Sequence, residues 1–259
     1  MKQTTRDQVG GNIIPAKARA YLKRSQFIVG LNGTLRGLTR DLRVLGWLIE
    51  RRSKIASYLR EHPTRKLQLA GSNSLLDGWL NTDIFLTQDS LVYLDVTKPF
   101  PFEDNTLDYI MGEHMIEHID YPAGQSMLRE CYRVLKPGGR VRMATPDLRV
   151  LLALHSTEKT DLQRYYIDWA ATRFVPEVRE CKDVFVINHF SQAWGHRFLY
   201  DQELLRHALH TAGFRAIEFY KPGDSEDPNL RNLEAHGRVL GSEEINQFET
   251  LVAEGVKER

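Results

Sequence analysis

Four acidic and imidazole side chains fall within the six residues Glu113-His114-Met115-Ile116-Glu117-His118, a concentration of groups able to move protons or hold ions. His114 to His118 spells His-x-x-Glu-His, the inverted zinc-protease signature, in which two histidines on one helical face share a metal. Five-residue patterns recur by chance, and this one follows a strand-like run, so no metal is expected from it. A second cluster, His189, His196, Arg197 and Tyr200, lies in the aromatic-rich stretch from Val186 to Asp201. A neutral histidine, with an ordinary pKa of about 6.5, can take a proton near neutral pH. His189 and His196 are therefore the candidate general bases. Arg197 suits a phosphate or carboxylate, and with Tyr200 it is the candidate substrate contact. Asp83 and Asp95 each close a short apolar run, where a carboxylate can accept hydrogen bonds from a ribose diol or an adenine amino group.

Positioning these groups falls to a repeated unit between Leu67 and Pro146: an apolar run, a turn rich in Gly or Asp, then a helix-like segment. Alternating units of this length imply a parallel sheet covered by helices, with ligands bound beyond the carboxyl ends of the strands. The runs are Leu67-Gln68-Leu69, the stretch ending at Asp83, Val92-Tyr93-Leu94, Leu107 to Glu113, and Arg140 to Pro146 after the turn Lys136-Pro137-Gly138-Gly139. Residues 150–181 read as helical, 186–201 as a pocket-lining loop. Asp201 to Gly213 reads as a capped helix, Phe214 to Tyr220 as a late strand, and 242–259 as a charged terminal helix.

Taken together, Leu69-Ala70-Gly71, Gly78-Trp79-Leu80-Asn81-Thr82-Asp83, Asp95-Val96 with Pro99-Phe100-Pro101-Phe102, Glu113-His114 with Glu117-His118, and Leu135-Lys136-Pro137-Gly138-Gly139 resemble the class I S-adenosylmethionine-dependent methyltransferases, within them the methyltransferase type 11 group. The resemblance implies a Rossmann-like, doubly wound, mostly parallel seven-stranded α/β sheet with a late antiparallel strand. It further implies S-adenosylmethionine as cofactor: Gly71 under its methionine portion, Asp83 on the ribose, Asp95 and Val96 at the adenine, and Glu113 and His114 facing the transferred methyl group. Metal-independent O-methylation of a small molecule, sugar or glycan intermediate is the expected activity. The first loop is poor in glycine, with Asn73 as its next most tolerant residue for positive φ, so a non-catalytic cofactor-binding protein is the alternative. A nucleic-acid enzyme is disfavoured by the lack of an Asn/Asp-Pro-Pro-Tyr-type motif.

The chain of 259 residues, 42% hydrophobic and 27% charged, is long enough to bury a full core. Its net charge of +1 conceals an asymmetry: residues 1–66 carry 15 Lys/Arg against 4 Asp/Glu, or +11, leaving −10 for the rest. The expected divisions are a basic helical extension over 1–64, a catalytic domain over 65–240 with a helical cap and substrate loop at 150–200, and a terminal helix over 241–259. Residues 1–25 read as a loose arm. Beyond them, Leu31, Leu35, Leu38, Leu42, Leu45 and Ile49 make one apolar stripe on a helix ending at His62-Pro63. That stripe can pack on its own domain, pair with a second copy as a homodimer, or make peripheral contact with an anionic membrane. Two cysteines without metal-ligand spacing, and no signal-peptide pattern, point to a cytoplasmic setting.

Overall fold

The structure, a computed structural model, describes residues 26–258, with side chains from residue 44 onward. The arm expected over residues 1–25 and the stripe side chains up to Leu42 lie outside the described residues. Helix α1 spans Gln26–Glu61. Leu45 and Ile49 on it are 54% and 70% exposed. Contacts divide the chain into two units, Met1–Glu50 and Arg51–Arg259. The boundary falls before residue 64 because Ile55 and Tyr58 are buried in the core of the second unit. There Tyr58 fixes the helix end, its hydroxyl donating to the carbonyl of Lys66 and accepting from the Lys66 amide at 2.8 Å.

The second unit holds a seven-stranded sheet. Its strands are β1 (Lys66–Leu69), β2 (Leu80–Asp83), β3 (Val92–Tyr93), β4 (Leu107–Glu113), β5 (Leu135–Pro146), β6 (Arg215–Tyr220) and β7 (Thr250–Val256), in the order β3-β2-β1-β4-β5-β7-β6. The first five are mutually parallel; β7 runs antiparallel to both neighbours. Leu67, Leu69, Leu107, Ile110, Met111, Val141 and Met143 are at most 1% exposed, as expected of parallel strands covered on both faces.

One face is covered by two helices whose sequences specify their ends. Helix α2 (Tyr121–Val134) starts where the Asp120 carboxylate accepts from the Ala123 amide, and buries Met127, Leu128, Cys131 and Val134 at helical spacing. The cap section contributes α3 (Leu148–Ala153), α4 (Asp161–Phe174) and α5 (Lys182–Gln192). Helix α6 (Gln202–Ala212) then starts at Asp201, which accepts from Leu204, and stops at Gly213, whose φ of +115° suits only glycine. With α2 it packs into the same core as the strands.

Three expectations are corrected here. No helix joins β1 to β2 or β2 to β3; the connection over 70–79 is an irregular loop. The sheet face left open is covered instead by the excursion between β6 and β7, whose Leu230 and Leu233 pack on Trp79, Met111 and Tyr109. Residues 186–201 are not a loop throughout, since α5 occupies 182–192 and packs Val186 and Phe190 against Tyr166 and Ile167 of α4. The expected terminal helix over 241–259 is instead one short helix, α8 (Glu243–Glu249), preceded by α7 (His236–Leu240) and followed by β7 inside the sheet.

The excursion is pinned by charge as well as by apolar contact. Arg142 of β5 is fully buried, its Nε donating to Glu234 at 2.6 Å and its guanidinium to Glu254 of β7 at 2.5 Å and to the Asp224 carbonyl at 2.9 Å. Glu113, at the end of β4, accepts from the backbone amides of Ala235 and His236 at 2.8 Å each.

Candidate active site

Two adjoining cavities lie beyond the carboxyl ends of β1, β4 and β5, where ligands bind in open α/β sheets. The first, about 150 Å³, is lined by Gln68, Ala70, Gly71, Ser72, Ser74, Glu113, His114, His236 and Val239. The second, about 250 Å³, is walled by His114, Glu117, His118 and His196 together with Arg173, Phe174, Phe190, Trp194 and His236. His114, His236 and Val239 belong to both, so they form the wall between them.

The loop leaving β1 is held in an uncommon conformation. Ala70 and Ser72 adopt φ of +51° and +45°, a region that side chains other than glycine's rarely enter. Hydrogen bonds hold it there: the Gly71 amide donates to the Thr82 carbonyl at 2.8 Å and the Ser72 amide to the Asp83 carboxylate at 3.0 Å. Gln68 Oε1 is buried without a hydrogen-bond partner beside Gly71.

The wall between the cavities is a pair of imidazoles, His114 and His236, stacked with centroids 3.6 Å apart. His114 also has positive φ, +44°. Its Nε2 lies 3.2 Å from the Thr250 hydroxyl and its Nδ1 3.4 Å from Glu117 Oε1. Burial opposes a charge on His114, but Glu117, with Glu249 and Glu113 nearby, outweighs it and raises the imidazole pKa above its ordinary value. Glu117 is likewise opposed by burial, yet His114 holds its carboxyl below the ordinary range. His236 is fixed from behind by Glu249, which also accepts from the Tyr166 hydroxyl of α4.

The His-x-x-Glu-His run does not form the helix that the zinc-protease signature requires. His114 ends a strand, and only Ile116–His118 makes a short 3-10 turn. The two histidines consequently take different partners: His114 stacks on His236, whereas His118 meets His196 edge-on at 5.0 Å. The Glu117 carbonyl accepts from the amides of Arg197 and Phe198, tying the His196 segment to this turn. His196 Nδ1 lies 2.6 Å from the Phe190 carbonyl. A carbonyl only accepts, so Nδ1 carries the proton and Nε2 presents a lone pair. Burial lowers the pKa of this imidazole.

The structure brings together Gly71, Glu113, His114 and His196 of the residues singled out in the sequence, and separates the others. Asp83 sits behind the loop, accepting from Ser72 and, at 2.7 Å, from the Phe85 amide. Asp95 closes a turn by accepting from the amide and hydroxyl of Thr97, and Val96 packs on the core. His189 lies outside both cavity walls, stacked on Phe174. Arg197 is exposed. Tyr200 is fully buried against Gly124 of α2, where a Cβ would come within 2.7 Å of its hydroxyl. The cation that does line the second cavity is Arg173, which follows the buried face of α4. His236 carried no sequence signal, being isolated in a polar stretch.

Residues 80–143 match the family model described as a methyltransferase domain. No curated protein matches the chain. Among solved structures, the chain is similar to an Archaeoglobus fulgidus SAM-dependent methyltransferase, at 17% identity and TM-score 0.46, covering 83% of this chain and 94% of that one. It is also similar to a chain of the complex between the Haloferax volcanii Trm112 methyltransferase activator and the putative methyltransferase, at 16% identity and TM-score 0.45, covering 85% and 95%. A third is Haemonchus contortus phosphoethanolamine N-methyltransferase 2 in complex with S-adenosyl-L-methionine, at 15% identity and TM-score 0.40, covering 80% and 53%. The match to a methyltransferase domain spans β2 to β5 of a sheet whose strand order is Rossmann-like and mostly parallel.

Proposed function

We propose that the protein methylates a hydroxyl group of a small anionic molecule, such as a phosphorylated or carboxylated sugar or glycan intermediate. The observation that carries this reading is the pair of adjoining cavities, one built by the β1 loop and the other by imidazoles, a carboxylate, an arginine and aromatic rings. The first suits the cofactor. Gln68 Oε1 offers an unused acceptor for an ammonium group, and Gly71 lets the backbone approach closely. Asp83, behind the loop, acts on the cofactor through it, its carboxylate fixing the Ser72 amide. The bound cofactor supplies an electrophilic methyl group on a sulfonium sulfur.

The second cavity suits the acceptor. Phe174, Phe190 and Trp194 exclude water from one side, and Arg173 at the rim pairs with an anionic group. Glu117, His118 and His196 form the basic wall that receives the hydroxyl. An oxygen acceptor needs such a wall, because its lone pair becomes a good nucleophile only as the proton departs.

The test is incubation with methyl-labelled S-adenosylmethionine and a panel of phosphorylated and carboxylated polyols and sugars. Label on oxygen, with one S-adenosylhomocysteine formed per transfer, is expected. Arg173→Ala should raise KM about tenfold, a loss of about 1.4 kcal/mol, with little change in kcat. Transfer to nitrogen, or to uncharged acceptors with no response to Arg173→Ala, would contradict the proposal.

A further inference from the structure

We propose that Glu117, His118 and His196 bind a divalent transition-metal ion, zinc being the best matched, inside the acceptor cavity. One ligand atom from each of the three lies within 4.8 Å of the other two, and among the described residues they form a candidate cation site that is empty. Two imidazoles and a carboxylate are the donor set of catalytic zinc sites, which leave a fourth position open for water or substrate. Imidazole also favours zinc over magnesium or calcium.

Two further observations point to an ion. Glu117 is fully buried, yet its Oε1 has no hydrogen-bond partner, the nearest cationic group being His114 Nδ1 at 3.4 Å. A buried carboxylate oxygen left so is costly unless something else satisfies it. The ligands are also aimed from behind, as metal ligands generally are. His196 donates from Nδ1 to the Phe190 carbonyl and so presents Nε2, while Glu117 Oε2 accepts from the Thr145 hydroxyl at 3.0 Å. The Glu117 carbonyl holds the Arg197 amide at 2.7 Å, fixing the approach of His196. The ligands come from Glu117 and His118 on one turn and His196 on another; the sequence signature instead pairs His114 with His118.

The role of the ion rests on the methyltransferase reading, and its binding does not. In the open position it would take the acceptor hydroxyl as a ligand and lower its pKa, as zinc does for bound water. With the three side chains committed to the ion instead of taking the proton themselves, the hydroxyl proton would pass to solvent water, and the oxygen lone pair would form the new bond to the methyl carbon as the carbon–sulfur bond breaks and S-adenosylhomocysteine leaves.

Zinc titration of chelator-stripped full-length protein, followed by calorimetry, tests the site. One equivalent should bind with micromolar or tighter affinity, weakened at least tenfold in His196→Ala and in His118→Ala. Both variants should keep wild-type affinity for S-adenosylhomocysteine, which reports an intact fold. Cobalt should bind the same site and give ligand-field absorption that the variants lose. Absence of stoichiometric zinc or cobalt binding, or binding undiminished in both variants, overturns the metal site. Zinc binding as expected without cofactor binding would instead sink the methyltransferase reading and leave the metal site standing.

Discussion

Three residues other than glycine, Ala70, Ser72 and His114, stand with left-handed φ around the loop cavity. Strain of this kind persists where surrounding contacts over-determine it and clusters at ligand sites. The left-handed conformation costs about 1–2 kcal/mol for a residue with a Cβ, and a glycine adds about 0.4–1 kcal/mol of unfolded-state entropy. Ala70→Gly and Ser72→Gly should therefore each raise stability by up to about 1 kcal/mol, measured by urea denaturation; a loss in both would show that the loop is unstrained. The sequence marked this loop by its single Gly71, with Asn73 as the next most tolerant residue for positive φ. The strain falls instead on Ala70 and Ser72, because the Thr82 carbonyl and the Asp83 carboxylate dictate where the amides of Gly71 and Ser72 must point. Asp83 was singled out because it ends an apolar run, and it lies behind the loop instead of in the cavity wall. Arg173 and His236 were not, since each reaches the cavity only through tertiary packing.

Elements whose signals are local were readable: the Asp201 cap and Gly213 stop of α6 lie one residue outside its ends. β7 was not readable. Its apolar run, Thr250 to Ala253, is short and bounded by Glu249 and Glu254, so its charges resemble those of a surface helix. Both glutamates are in fact buried, at 3% and 1% exposure, and Glu254 faces Arg142 across the sheet. A second charged pair tests how α2 is held. Glu130 accepts from Arg133 at 2.7 Å and from the Phe100 amide at 2.6 Å, tying the helix to the 100–104 turn. The Arg133 bond, helped by the Phe100 amide against burial, holds the Glu130 carboxyl below its ordinary value of 4.5. A depressed carboxyl contributes stability that is present above its unfolded pKa and lost as pH falls through the folded one. Glu130→Gln should thus cost about 1–2 kcal/mol at pH 7, the gap closing below about pH 4. Urea midpoints measured across that range check it, and a pH-independent gap would contradict it.

At the scale of the molecule, the five parallel strands were legible because apolar runs, turns and acidic strand ends recur in order from Leu67 to Pro146, whereas the count of seven came from the family resemblance. The cover on its second face was not, because that cover is a single excursion, residues 221–249, returning from the far edge. Arg142 receives it through Glu234 and the Asp224 carbonyl, and Glu113 through the amides of Ala235 and His236. The same excursion places His236 on His114 and lines both cavities. Among the described residues, no helix is long and apolar enough to cross a membrane. The central claim is that the β1 loop cavity holds S-adenosylmethionine, and calorimetric titration of this compound and S-adenosylhomocysteine into wild type and Asp83→Ala tests it most directly. Micromolar binding to wild type, weakened at least tenfold in the variant, about 1.4 kcal/mol, is the predicted result. Folded wild type that binds neither compound, or binding indifferent to Asp83→Ala, would contradict it.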